Sequence, residues 1–105
     1  MINIQCQVDE YIPKLIGMRP LENGRLALAF DNKESGQLEV RIYNVWKVFP
    51  RESVGAKYLG WYEPDTFKKA YLFGSSVYWT EDVDLYSDIL YLNSVLVEGD
   101  FHCVV

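Results

Sequence analysis

The chain has 105 residues, the size of one domain, and its composition of 50% hydrophobic and 15% aromatic residues excludes an intrinsically disordered segment. Fifteen Asp and Glu against ten Lys and Arg give a net charge of -5, without the basic footprint of a free-standing nucleic-acid binder. Apolar runs are too short to span a bilayer, and residues 1–7 lack the features of a secretory signal, so we expect a cytoplasmic protein.

Extended segments are predicted at the start of the chain. Residues 2–8 alternate apolar and polar side chains, which is typical of a half-buried strand. After Pro13, residues 14–19 form a second extended stretch. Residues 21–24 are typical of a turn, because Asn and Gly tolerate a positive φ. Two strands and a turn are therefore expected before residue 25.

A β-hairpin is predicted next. Residues 25–31 and 37–43 alternate in the same way, and the polar loop between them ends in Gly36. We expect the hairpin to bury one face in the core of the domain. The six inward side chains of that face are Leu26, Leu28, Phe30, Leu38, Val40 and Ile42.

Short elements are predicted in the rest of the chain. Residues 44–49 favour a helical turn that Pro50 ends, residues 51–60 a loop, and residues 64–69 a short helix. The later elements are strands at 71–73 and 77–79, an acidic loop at 80–88, a short helix capped by Ser87 and ending at Tyr91 or Leu92, and extended stretches at 95–97 and 101–105. One α+β domain over residues 1–105 follows, a small antiparallel sheet with short helices packed on it.

The negative charge is concentrated in the second half. Residues 1–52 carry seven basic and seven acidic side chains, whereas residues 53–105 carry three basic and eight acidic ones. This asymmetry indicates either a solvated face or a docking patch for a basic partner. Seven aromatic residues leave a similar choice between core packing and a protein interface: Trp46, Trp61, Tyr62, Tyr78, Trp79, Tyr86 and Tyr91.

Catalytic and metal-binding patterns are absent from the sequence. His102 is the only histidine, and on a strand its neighbour Cys103 would point to the opposite face. Cys6 could reach either residue only if the terminal strands pair, and reduced thiols are the simpler expectation. The cysteines lack zinc-module spacing, and the acidic loop lacks the Gly and Glu of a calcium loop. We predict no catalytic residue, no metal site and no cofactor.

Three segments resemble the small bacterial family known as domain of unknown function 2442. Residues 18–32 resemble its strand, turn and strand ending in Phe-Asp-Asn. Residues 64–70 are similar to its short helix with a central Phe. Residues 77–85 are similar to its strand with Trp, followed by Asp-Leu. The resemblance covers residues 15–92, and leaves two flanking segments that we expect to form added strands, at 1–14 and 93–105.

This resemblance implies that the protein binds a partner protein rather than catalysing a reaction. The family has no established catalytic residues to carry over, and its members look like cytoplasmic proteins encoded beside another small protein, as in toxin–antitoxin pairs. The chain departs from the family at 80–82, where Thr-Glu-Asp replaces Pro-Asn-Gly and adds negative charge.

The leading hypothesis is a non-enzymatic protein-interaction domain, antitoxin-like or an accessory partner of a small basic protein. It would bind neither nucleic acid nor membranes directly, and homo-oligomerisation stays open. The alternatives are an acidic inhibitor that mimics nucleic acid, and a small metal-binding or enzymatic domain. The predicted partner-binding residues are Tyr78, Trp79, Glu81, Asp82, Asp84, Tyr86 and Asp88.

Overall fold

Two antiparallel sheets form the framework of the structure, a computed structural model that describes residues 12–34 and 36–97. The strands are, in chain order, β1 (Lys14–Pro20), β2 (Arg25–Asn32), β3 (Gln37–Asn44), β4 (Tyr71–Phe73), β5 (Ser76–Thr80), β6 (Val83–Tyr86) and β7 (Val95–Leu96). The larger sheet has the order β1-β2-β3-β7 and the smaller one β4-β5-β6. The predicted α+β class with antiparallel pairing is therefore confirmed.

The helices are short and connect the strands. They are α1 (Val45–Val48), α2 (Pro64–Phe67), α3 (Ser87–Leu92) and two 3-10 helices, Arg51–Ser53 and Ala56–Tyr62. The Asn44 side chain caps α1 by accepting a hydrogen bond from the backbone N–H of Lys47 at 3.1 Å. The loop predicted at 51–60 was wrong, because both 3-10 helices occupy it. No helix in the part of the chain that the structure describes has the length and hydrophobicity to cross a membrane.

One aromatic cluster joins the two sheets. Trp46 follows the larger sheet and donates its indole N–H to the Trp61 carbonyl at 2.7 Å. Trp79 belongs to the smaller sheet and donates to the Phe67 carbonyl at 2.9 Å. The Trp61 and Trp79 rings are in edge contact, with centroids 5.4 Å apart. The connecting segment (residues 49–70) is thereby fixed between the sheets, and the inner faces of both sheets share one apolar core.

The β2–β3 register corrects part of the predicted core. Leu26, Leu28 and Phe30 are buried as predicted. However, Val40 pairs with Ala29, and Leu38 pairs with Asp31, so these β3 residues lie on the face opposite to Leu28. Leu38 is 47% exposed and Ile42 is only partly buried, whereas Val40 is 8% exposed although it lies on the outer face.

Polar residues of β3 take the inner positions instead. Glu39 pairs with Phe30, Arg41 with Leu28, and the fully buried Tyr43 with Leu26. Burying a charge is costly unless it is paired. Here the Arg41 guanidinium binds the Glu39 carboxylate at 3.0 Å, which makes the inner position acceptable. The alternation of hydrophobic residues therefore predicts the strand correctly, but it does not predict which face of the strand is packed against the core.

Several sequence predictions concern residues outside the described part of the chain. These are the strands at 2–8 and 101–105, and the placement of Cys6, His102 and Cys103.

We predict that Gly24→Ala destabilises the fold more than Gly36→Ala does. Both glycines have a positive φ, of 75° and 73°, so each alanine should cost about 1–2 kcal/mol of backbone strain. A Cβ at Gly24 would also lie 2.2 Å from Cγ of Trp46, whereas one at Gly36 meets open space. Urea unfolding measures both variants, and equal midpoints would contradict the close packing of Trp46 on the β1–β2 turn.

We also predict that Leu28→Ala lowers the free energy of unfolding by about 2–4 kcal/mol, because it leaves a cavity in the core. The matched substitution Leu38→Ala should change it by less than about 1 kcal/mol, because the Leu38 side chain is on the outer face and nearly half exposed. Chemical denaturation tests the pair. A large loss of stability for Leu38→Ala would instead support the register predicted from the sequence, in which Leu38 faces the core.

Candidate functional site

A β-hairpin occupies the region that the sequence predicted as an acidic loop. Strands β5 and β6 pair antiparallel, with Thr80 opposite Val83, so Glu81 and Asp82 alone form the connecting turn. The backbone N–H of Asp82 donates to Oγ1 of Thr80 at 3.2 Å. The prediction of a loop over 80–88 was therefore wrong, and the carboxylates are placed by a paired sheet.

The outer face of the smaller sheet carries exposed aromatic side chains. We call this surface the aromatic face, and its residues are Tyr71, Phe73, Tyr78, Asp84 and Tyr86. Tyr71 lies directly opposite Tyr78, and their rings stack with centroids 5.8 Å apart. Phe73 is 69% exposed and Tyr86 is 60% exposed. Clustered exposed rings of this kind are unusual away from interaction sites.

Carboxylates surround the aromatic face. Asp84 lies opposite Tyr78 within the sheet, and Glu81 borders the same depression as Tyr71, Phe73 and Tyr78. Asp82 and Asp88 are exposed, at the hairpin turn and in the first turn of α3. Within residues 12–34 and 36–97 the ion pairs are Lys33–Asp31 and Arg41–Glu39, so none of these four acids is paired there.

Trp79 does not belong to this surface. Its side chain is 8% exposed and packs in the core, with its indole N–H bonded to the Phe67 carbonyl. Neighbouring residues on a strand point to opposite faces, so Tyr78 and Trp79 separate. The structure thus places Tyr78, Asp84 and Tyr86 on the aromatic face and Glu81 beside it, leaves Asp82 and Asp88 exposed, and places Trp79 in the core.

Tyr71 and Phe73 were missed as surface residues. Both come from β4, and they supply two of the four rings of the aromatic face. The apolar pattern at 71–73 was interpreted only as a strand. Leu72 between them is partly buried against the core. The alternation of this strand therefore indicates that Tyr71 and Phe73 lie on the opposite, outer face.

A cleft of about 280 Å³ lies beside β6. Residues 49–61 form most of its wall, and Asp84 and Leu85 contribute from β6. The Trp61 side chain is 2% exposed, and its indole Nε1 has no hydrogen-bond acceptor among the described residues. The other two indoles, of Trp46 and Trp79, are both hydrogen-bonded.

The densest polar cluster of the described residues is internal. The Arg41 guanidinium donates to Glu39 and to both the hydroxyl and the carbonyl of Ser94, at 2.7–3.0 Å. It also lies 4.3 Å from the Tyr91 ring centroid, and the Tyr91 hydroxyl donates to Glu39 at 3.0 Å. Every charge is paired, so this network holds α3 and the following turn on β3 and offers no free group for chemistry.

Ionisation of Glu39 follows from the same contacts. Burial alone would raise the pKa of its carboxyl, but hydrogen bonds from Asn32, Tyr91 and Arg41, together with the charge of Arg41, lower the pKa below 4.5. Burial also raises the pKa of Tyr43 to about 12. The Tyr43 hydroxyl has no partner among the described residues. Neither group lies at an open site.

Within the described ranges, no group of three or more His, Cys, Asp and Glu side chains is placed to hold a metal ion. Comparison with known proteins found no matching family model, curated protein or solved structure. The surface itself therefore carries the functional argument.

We predict that Glu39→Gln lowers the free energy of unfolding at neutral pH by about 1–3 kcal/mol, because it weakens charged hydrogen bonds at a half-buried site. The pKa of Glu39 is lower in the folded state, so its stabilisation is complete above pH 4.5 and is lost as the pH falls through the lower folded value. Urea unfolding at several pH values should show the difference from wild type shrinking below that pH.

The matched control is Glu34→Gln. Glu34 is exposed, and we expect its substitution to leave stability nearly unchanged at every pH. A wild-type advantage over Glu39→Gln that stayed constant from neutral to acidic pH would contradict the role assigned to the Glu39 carboxylate.

Proposed function

We propose that this chain is a non-enzymatic protein-interaction domain that binds a small basic protein partner. The proposal includes the antitoxin-like or accessory role, in the bacterial cytoplasm, that the resemblance to domain of unknown function 2442 implies. The observation that carries it is the aromatic face with its unpaired carboxylates.

The composition of this surface supports protein binding. Stable protein interfaces are enriched in Tyr, Phe and Trp at their centre and are surrounded by polar residues. Phe73 and Tyr86 are more than half exposed and lie on paired strands of a sheet, so a partner could bury them without reordering the backbone. Rigid exposed rings of this kind supply most of the binding energy at many interfaces.

The charge of the surface supports a basic partner. Glu81, Asp82, Asp84 and Asp88 have no ion pair within the described residues, and no Lys or Arg follows Lys69 in the sequence. Opposite charges on two proteins accelerate their encounter and suppress the wrong partners. An acidic or neutral partner would gain nothing from this arrangement.

We predict that replacing Glu81, Asp82 and Asp84 together with Lys slows association with a basic partner by about tenfold or more at low salt. A synthetic peptide of alternating glycine and arginine or lysine serves as the probe, and surface plasmon resonance at increasing salt concentration measures the rate. Because screening removes the attraction, the difference between wild type and variant should shrink as salt rises.

The control variant carries the same change in net charge at a distance from the aromatic face. It replaces Glu22, Glu34 and Glu52, all exposed, with Lys. If both triple variants slowed association equally, net charge alone would explain binding, and the aromatic face would have no special role. Competition by single-stranded nucleic acid for the peptide, without any contribution from Phe73 or Tyr86, would instead favour nucleic-acid mimicry.

A further inference from the structure

The cleft beside β6 has three aromatic walls. Trp61 forms its floor, with the Tyr58 ring at a centroid distance of 4.9 Å and the Phe49 ring at 5.4 Å. Both rings are inclined to the indole, at 45° and 42°, so the three planes do not stack flat against one another. Trp61 is 2% exposed beneath them, so Tyr58 and Phe49, which are only partly buried, are the rings open to the cleft, and the electrically negative face of an aromatic ring attracts cations.

A carboxylate completes the lining. Asp84 is partly exposed, lines the cleft and has no ion pair within the described residues. The Lys57 ammonium lies 5.2 Å from the Tyr58 ring centroid. Lys57 is not among the residues that line the cleft.

The size of the cleft selects a side chain rather than a cofactor. Its volume of about 280 Å³ is just below the range of about 300–1,000 Å³ that is typical of sites for drug-sized ligands. Among cationic side chains, the planar guanidinium of arginine both stacks on aromatic faces and pairs with a carboxylate through two hydrogen bonds. A lysine ammonium is more strongly hydrated and lacks the planar shape.

We propose that this cleft binds one arginine side chain of the partner, with the guanidinium against the partly buried rings of Tyr58 and Phe49 and paired with Asp84. This proposal rests on the proposed function and deepens it, because Asp84 belongs to both surfaces. Asp84 lies directly opposite Tyr78 of the aromatic face, so one extended peptide can contact the face and place an arginine in the cleft. Arginine anchors in pockets beside aromatic surfaces are a common form of interface hot spot.

The test uses a small probe that is independent of any protein partner. N-acetyl-arginine amide is titrated against the 15N-labelled protein, and N-acetyl-citrulline amide, which is neutral with nearly the same shape, is the control. The indole N–H signals of Trp46, Trp61 and Trp79 report the position of binding. We expect a saturable shift of the Trp61 signal alone, with the citrulline probe binding about tenfold more weakly.

Substitutions of residues that line the cleft test whether this shift reports binding there. Asp84→Asn and Tyr58→Leu should each weaken binding of the arginine probe by about tenfold, with the unperturbed signals showing that the fold is intact. Glu34→Gln, a matched change of an exposed carboxylate elsewhere, should leave probe binding unchanged, because Glu34 does not line the cleft. Equal binding of N-acetyl-lysine amide would overturn the assignment of a guanidinium.

Failure of this inference is distinguishable from failure of the proposed function. If the arginine probe shifted no indole signal, or shifted all three alike, the cleft would not be an arginine site, although the basic peptide could still bind through the aromatic face. If the probe bound in the cleft while peptide binding were insensitive to Glu81→Lys and Asp82→Lys, at two residues that do not line the cleft, the cleft assignment would stand and the proposed function would fall.

Discussion

Two indole hydrogen bonds hold the fold together. Trp46 binds the carbonyl of Trp61, and Trp79 binds the carbonyl of Phe67, so each sheet is attached to the same connecting segment. The backbone hydrogen bonds of this segment are local bonds of short helices and turns, and isolated turns of this length are unstable without tertiary contacts. The aromatic core therefore supplies the order that the backbone of residues 49–70 lacks.

This constraint also determines what remains on the surface. Trp79 is committed to the core, and the alternation of β5 then sends Tyr78 outward, next to Tyr71 and Phe73. The inner face of the smaller sheet is thus packed in the apolar core, whereas the rings on its outer face are not part of that core. The β6 edge of the same sheet borders the cleft formed with residues 49–61, because the connecting segment is held beside it. The packing of Trp79 and the position of the connecting segment therefore determine both the fold and the location of the candidate surfaces.

Much of the strand pattern could be predicted from the sequence, since β2 is apolar at its core positions Leu26, Leu28 and Phe30. The inner face of β3 could not, because Glu39 and Arg41 are stabilised there by their own ion pair and by contacts with Tyr91 and Ser94, about fifty residues later in the chain. The acidic surface was predicted from charge alone. Its hairpin geometry was missed because Val83 and Leu85 were counted with the carboxylates that flank them, although both are buried.

Binding of a basic partner to the outer face of the smaller sheet is the proposal on which the function depends. Backbone amide NMR during titration with the basic peptide tests it, because every described strand is reported at once. Binding at this face should give saturable shifts confined to residues 71–88 and the adjoining cleft. Shifts concentrated on the outer face of the larger sheet, around Ala27, Ala29 and Val40, would contradict it.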